Sequence, residues 1–220
     1  MYKSLLTKKG RREHGLFLMQ GNKAINENRH LATKIITKLD NPKLHRELNT
    51  LENSTDDIGV FRMPVSNGRQ VVAPTLVLDH IQDPGNMGTI LRTAVAFGWT
   101  NIITIDCVDV YSPKVIRAIS GQIFKLNIDD LTIDEFVIHA TGVGAAPLQI
   151  VIADIDGKAI SRGDHWSSVS HIALVLGNEG AGVREEIRNL PHTKVSIPMQ
   201  NDVESLNVAI AGSILMWYLR

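Results

Sequence analysis

Residues 76–97 read LVLDHIQDPGNMGTILRTAVAF, and the change of period inside this stretch decides the fold class. Leu76, Val77 and Leu78 form a short unbroken apolar run, the signature of a buried strand. Asp83-Pro84-Gly85 supplies turn chemistry. Met87, Ile90, Leu91, Ala94 and Phe97 then recur at i, i+3, i+4, i+7 and i+10, the spacing of one helix face.

The same alternation continues downstream. Apolar strands are predicted at Ile102-Ile103-Thr104-Ile105, Ile150-Val151-Ile152-Ala153, Ile172-Ala173-Leu174-Val175-Leu176 and Val195-Ser196-Ile197. Helices are predicted near 114–120, 131–139, 183–190 and 206–219. Apolar strands alternating with helices imply an α/β class with a largely parallel sheet covered on both faces. Upstream the pattern stops. A boundary is placed between 48 and 74, where Asn53-Ser54-Thr55-Asp56-Asp57 and Ser66-Asn67-Gly68-Arg69 are turn-rich. Before it, Leu16, Phe17, Leu18 and Met19 predict a strand, and a polar stretch at 28–39 predicts a helix.

A chain of 220 residues can build one packed domain with an appendage, or two small domains. No stretch reaches the roughly 18 apolar residues of a membrane span. The apolar run 206–219 is interrupted by Asn207, Gly212 and Ser213 and reads as a buried helix. One cysteine, Cys107, excludes an internal disulfide framework and a Cys-rich zinc site, and fits a reducing, cytoplasmic setting. The eight histidines include no i, i+4 pair, so no metal is assigned. Net charge is zero, but residues 1–47 hold eleven Lys/Arg against four acids, while the remainder holds twelve against nineteen. Lys3, Lys8, Lys9, Arg11 and Arg12 form a basic arm that can attract phosphate or can be a solvated terminus. A cleaved transit peptide fits less well, because the segment is short of serine.

Ligands in parallel sheets bind beyond the carboxyl ends of the strands, and three loops there are dense in Gly, Pro, Asn and acid. In the first, residues 83–88, Asn86 is a candidate helix cap and Gly88 admits a close neighbour. Arg92, one turn into the helix, either holds a phosphate or ribose oxygen or lies on the solvated side. The second, residues 177–182, has its glycines in the order G-x-x-G-x-G. With Glu179 present this is no phosphate cradle, and a neutral or cationic ligand suits it better. Alternatively, Glu179 favours the N-terminus of the following helix. The third, residues 198–207, carries Ser205 and Asn207 into the last helix, where both can cap, bond the loop or orient a polar ligand. No nucleophile elbow surrounds Ser205. Phe136-Val137-Ile138-His139-Ala140 before Thr141-Gly142-Val143-Gly144 could be read as a strand and dinucleotide turn, but Pro147 occupies the third glycine position.

Together the loops resemble the three signature motifs of the SpoU (TrmH-type) branch of the SPOUT RNA methyltransferases. Residues 78–94 look like the first motif, 174–183 the second, and Ile197-Pro198-Met199 with Glu204-Ser205-Leu206-Asn207-Val208-Ala209 the third. The resemblance covers roughly 74–220. It implies a parallel-sheet domain ending in a trefoil knot, a homodimer, and transfer of a methyl group from S-adenosylmethionine to a ribose 2′-hydroxyl in RNA. By resemblance, Leu176, Gly177, Ile197, Met199 and Leu206 hold the cofactor, while Asn86, Arg92, Glu179, Ser205 and Asn207 match the catalytic positions.

Residues 8–21 are similar to the opening of the small α+β RNA-binding domain found ahead of the knot in ribosomal-RNA members, with Gln20 where that pattern has Glu. This implies an RNA substrate-binding domain over 1–70, short and divergent, with Lys8, Lys9, Arg11 and Arg12 as RNA contacts. Ribosomal RNA is thereby favoured over transfer RNA. The competing readings are an inactive RNA-binding or ribosome-assembly protein of the same fold, and a NAD-linked enzyme, which the glycine order disfavours.

Overall fold

The computed structural model describes residues 1–51, 54–64, 74–142, 147–161, 171–201 and 203–220. Parts of the turn-rich boundary (Asn53, 66–69), Val143 and Gly144 of the dinucleotide candidate, and Asp202 of the third loop lie outside the described residues.

The N-terminal portion opens with a 3-10 turn, Tyr2–Leu6, and helix α1, Lys8–His14, capped by the Thr7 hydroxyl and closed by Gly15 in the left-handed region. Strand β1 (Leu16–Gln20), helix α2 (Asn22–Glu27), strand β2 (Ala32–Ile36), helix α3 (Pro42–Leu48) and strand β3 (Ile58–Arg62) follow. The strands form an antiparallel sheet in the order β1-β3-β2. The helix expected at 28–39 is therefore corrected. One 3-10 turn, Arg29–Leu31, leads into β2, where Thr33, Ile35 and Ile36 are β-branched and the strand gains a ladder against β3.

The second sheet has six parallel strands in the order β6-β5-β4-β8-β7-β9. In chain order these elements are β4 (Thr75–Asp79), α4 (Pro84–Phe97), β5 (Asn101–Ile105), α5 (Pro113–Ala118), β6 (Asn127–Leu131), α6 (Ile133–Ala140), β7 (Gln149–Ala159), β8 (Ile172–Leu176), α7 (Glu185–Arg188), β9 (His192–Ser196) and α8 (Val208–Tyr218). Side chains alternate across the sheet, as the pleat requires. Leu76, Leu78, Leu174 and Leu176 face α4, α5 and α8, while Val77, Val175, Ile103 and Ile152 face α6 and α7. Both faces are thus covered, as the unbroken apolar strands predict.

The stretch 136–140 is helix, not strand. Thr132 and Glu135 form a capping box, each side chain accepting from the other's backbone N–H, and start α6. This removes the dinucleotide-fold reading. The two sheets share one core, in which Phe17 and Phe61 pack with Phe124, and Phe17 also with Tyr111. Among the described residues no helix is long and apolar enough to cross a membrane.

Candidate active site

Helix α4 starts at a cap made by Asp83, whose carboxylate accepts from the Asn86 N–H at 2.7 Å, with Pro84 in the first turn. Asp83, not Asn86, is the cap. The Asn86 side chain is consequently released from the backbone and bridges the other two loops. Its amide donates to Glu179 Oε1 at 2.6 Å, and its Oδ1 accepts from the Asn207 amide at 2.9 Å. Asn207 caps α8, its own Oδ1 accepting from the N–H groups of Ala209 and Ile210. One side chain from each loop therefore meets in a chain of two hydrogen bonds.

The middle loop is shaped by its own sequence. Asn178 pairs with Gly182 in a short bridge, its Oδ1 accepts from the N–H groups of Gly180 and Ala181, and its amide donates to the His80 carbonyl. A Cβ at Gly177 would stand 2.3 Å from the Gly182 carbonyl carbon and 2.4 Å from the Val183 nitrogen, so the loop closes on itself only with glycine there. Arg184 fastens the far end. Its backbone N–H reaches Asp79 Oδ2 at 2.8 Å and its Nε reaches Asp79 Oδ1, while Nη1 reaches Asp106 at 2.9 Å. Partial burial disfavours the Arg184 cation, but its bonds to Asp106 and Asp79 outweigh this and raise its pKa. Asn178, Asp79 and Arg184 were not among the expected site residues. A lone carboxylate ending the apolar strand 76–79 was the available signal.

A cavity of about 520 Å³ opens beside this constellation. All five expected cofactor residues, Leu176, Gly177, Ile197, Met199 and Leu206, line it together with Glu179 and Ser205. The Ser205 hydroxyl makes no hydrogen bond with another described residue. The floor is apolar and extends to Leu215 of α8, where Gly212 admits Leu176. A Cβ there would meet the Leu176 Cδ1 at 2.5 Å. The charged lining is Asp154, Asp156, Glu179 and Glu204 with one cation, Arg188, which pairs with Asp154. Burial raises the Asp154 carboxyl, but bonds from the Asp156 N–H and Arg188, with the nearby Lys194 charge, outweigh it and hold the pKa below its ordinary value. A slot with an apolar floor, where four carboxylates outnumber one cation, suits a ligand with a flat apolar part and a positive centre. Among the described residues no three His, Cys, Asp or Glu side chains converge as metal ligands would.

Arg92 does not line this cavity. It lies six residues beyond Asn86, roughly 9 Å along the helix axis at the usual rise, and is exposed beside a second groove between α4 and the N-terminal portion. The basic N-terminus is also rearranged. Lys8 and Lys9 are exposed, whereas Arg11 is buried, donating to Asp109 at 2.8 Å and to the Leu5 carbonyl at 2.7 Å. Arg12 pairs with Asp130. Arg11 thus joins the N-terminal portion to the segment between β5 and α5 and is withdrawn from the expected RNA contacts, because its guanidinium is consumed inside the protein.

The sequence pattern of the SpoU rRNA Methylase family matches residues 73–217. Over its whole length the chain is 27% identical to the 23S rRNA (guanosine(2553)-2′-O)-methyltransferase RlmP of Bacillus subtilis, covering 94% of that protein. It is 33% identical over 143 residues to a 23S rRNA (adenosine(1067)-2′-O)-methyltransferase of Streptomyces laurentii, and spans about half (52%) of that protein. Among solved structures, the AdoMet-bound rRNA methyltransferase of Sinorhizobium meliloti superposes with a TM-score of 0.85 at 26% identity, covering all of this chain and 92% of that one.

Proposed function

The chain belongs to the SpoU rRNA Methylase family, and from that premise we propose that it methylates a ribose 2′-hydroxyl in RNA, ribosomal RNA in preference to transfer RNA. The observation that carries the reading is the joining of Asn86, Glu179 and Asn207, one from each motif, at the rim of the 520 Å³ cavity. The names of the Bacillus and Streptomyces relatives support the choice of ribosomal RNA.

S-adenosylmethionine fits the cavity by its chemistry, and when bound it supplies an activated methyl group on a sulfonium. Leu176, Ile197, Met199 and Leu206 would offer apolar surface to its adenine, the backbone at Gly177 would admit close approach, and Glu179 would supply a carboxylate to its positive centre. Displacement at a methyl group gains most from alignment of the reactants, and the Asn86 and Asn207 amides hold Glu179 and the three loops in register for it. Ser205, with its hydroxyl directed to no described partner, is available to orient cofactor or ribose. Arg92 serves the RNA side. A guanidinium stays protonated, so it would stabilise the developing alkoxide and the neighbouring phosphate while the hydroxyl proton passes to solvent water.

The finer features of the family follow in the same reading. The strand order β4-β8-β7 inserts a later strand between two earlier ones, and α8 then returns against α4 and β8. This order accommodates the trefoil knot that the family resemblance implies for the C-terminal part. Helix α8 leaves Ile210, Ile214 and Trp217 exposed on one side, a surface that supports a homodimer. Residues 1–70 serve as the RNA substrate-binding part, with Lys8 and Lys9 still available to phosphate, and the protein works in the cytoplasm.

The test is transfer of tritium from methyl-labelled S-adenosylmethionine to purified ribosomal and transfer RNA. Label in ribosomal RNA is expected. Cofactor binding without label in either RNA would favour an inactive RNA-binding relative.

A further inference from the structure

The cations that the N-terminal helix does not offer to RNA are found elsewhere. A groove of about 830 Å³ runs between the α2 region and the face formed by α4, α5 and the 3-10 turn Gln122–Lys125. Lys23 of α2, Arg92 of α4, Arg117 of α5 and Lys125 come from four separate elements and converge on it. Two carboxyl-bearing residues, Glu27 and Asp56, also line it, so cations exceed acids by two to one. Lys23 and Glu27 stand 4.0 Å apart, both exposed, which is a weak pair. Arg117 is oriented by donating Nη1 to the Thr50 hydroxyl at 3.0 Å, a neutral partner, and makes no ion pair with another described residue. Arg92 and Lys125 make no ion pair with another described residue.

Arg11 and Arg12 are the contrast. Each of those guanidiniums is matched to a carboxylate, Asp109 or Asp130. A protein gains nothing in stability by gathering cations along one concavity where carboxylates are half as many. A polyanion that enters it does gain, through neutralised phosphates and released counterions. Lys23 belongs to the N-terminal portion and Arg92, Arg117 and Lys125 to the other, so a strand in the groove would touch both.

We propose that this groove binds the single RNA strand flanking the methylated nucleotide, with Lys23, Arg117 and Lys125 tracking its phosphates toward Arg92. The inference rests on the reading of the protein as an RNA methyltransferase and adds where the substrate lies. A single strand is favoured over a duplex because the groove is of small-ligand volume, within the roughly 300–1,000 Å³ of ordinary binding clefts.

The experiment measures the affinity of the full chain for a labelled, mixed-sequence single-stranded oligoribonucleotide across a salt series, alongside methyl transfer to ribosomal RNA. Lys23→Ala/Lys125→Ala alters only exposed side chains, and Arg117→Ala is tested separately because it also releases Thr50. The double variant is expected to weaken RNA binding about tenfold at physiological salt and to flatten the log–log salt slope by about 1.4, at about 0.7 for each of two lost phosphate contacts on a single strand. Its affinity for S-adenosylmethionine should equal that of the wild type. Wild-type methylation combined with unaltered RNA affinity and slope in both groove variants would overturn the groove alone. So would a loss confined to Lys8→Ala/Lys9→Ala. A wild-type protein that neither binds nor methylates RNA would overturn the functional reading, and the groove with it.

Discussion

The Asn86 amide donates to Glu179 Oε1 across 2.6 Å, joining loops that lie 93 residues apart in the chain. Asn207 donates to the other end of the same Asn86 side chain, so Asn86 is the middle member of this relay. A hydrogen bond to a charged group contributes roughly 1.5–3 kcal/mol. Asn86→Ala is therefore expected to lower the single-turnover rate of methyl transfer by about 10- to 100-fold, at 1.4 kcal/mol per tenfold. Asn86→Asp should be worse, since it sets a second carboxylate against Glu179. Single-turnover kinetics at saturating cofactor and RNA measure both, and a rate within twofold of wild type in Asn86→Ala would remove this side chain from the mechanism.

The Asp79 carboxylate is 1% exposed and depends on Arg184 for charge compensation. Arg184→Ala leaves it with the backbone N–H of residue 184 but no cation. Breaking a buried pair from one side costs about 3–5 kcal/mol, and the surviving N–H places this case near the lower figure, about 3 kcal/mol. Urea unfolding followed by circular dichroism gives the number. Cofactor affinity should also fall, because the pair anchors the loop that carries Glu179. A stability loss below about 1 kcal/mol would fit only an ordinary surface pair.

Asp154 gives a pH dependence with a defined sign. Its folded pKa is depressed, because the Asp156 N–H, Arg188 and Lys194 together outweigh desolvation. Its contribution to stability is therefore present above the ordinary carboxylate range and is lost as pH falls through the folded value. The wild type should be more stable than Asp154→Asn at neutral pH, and the gap should close on acidification. Urea midpoints for both proteins between neutral and acidic pH test this. A gap that widens toward acid would contradict the assignment.

Trp217 of α8 is 56% exposed, with the Arg220 guanidinium 5.5 Å from its ring centre. Ile210, Ile214 and Trp217 follow i, i+4, i+7, so one helix face is apolar toward solvent. In a homodimer through this face, Ile214→Asp/Trp217→Glu should yield a monomer by sedimentation velocity, with the far-ultraviolet spectrum retained. A dimer that survives the double substitution would move the interface elsewhere.

The fold was legible wherever one period dominated. The apolar runs at 76–78, 102–105 and 172–176 became β4, β5 and β8 because strands buried on both faces are filled mainly by apolar side chains. The run at 150–153 marked only the start of β7, which continues to Ala159 through a register shift against β9. The N-terminal portion was less readable. Residues 32–36 form a strand through pairing with β3, a partner more than twenty residues away whose effect no local pattern carries. Strand β6 was not foreseen, since Asn127, Asp129 and Asp130 interrupt its apolar pattern on the sheet edge.

At the site, the residue types pointed to the right loops but not to their bonds. Asn86 looked like a helix cap until Asp83 took that role, and Glu179 looked like a helix-dipole partner until Asn86 engaged it. Arg11 looked like a phosphate ligand because charge counting cannot see Asp109, its partner 98 residues away.

The most direct test of the central claim is the position of the methyl group on the RNA product. Ribosomal RNA labelled by the purified protein is digested with alkali, which cleaves wherever a free 2′-hydroxyl can attack the adjacent phosphate. Methylation of that oxygen blocks cleavage, so the label is expected in an alkali-stable dinucleotide. Label recovered in single nucleotides would place the methyl group on a base and contradict the claim.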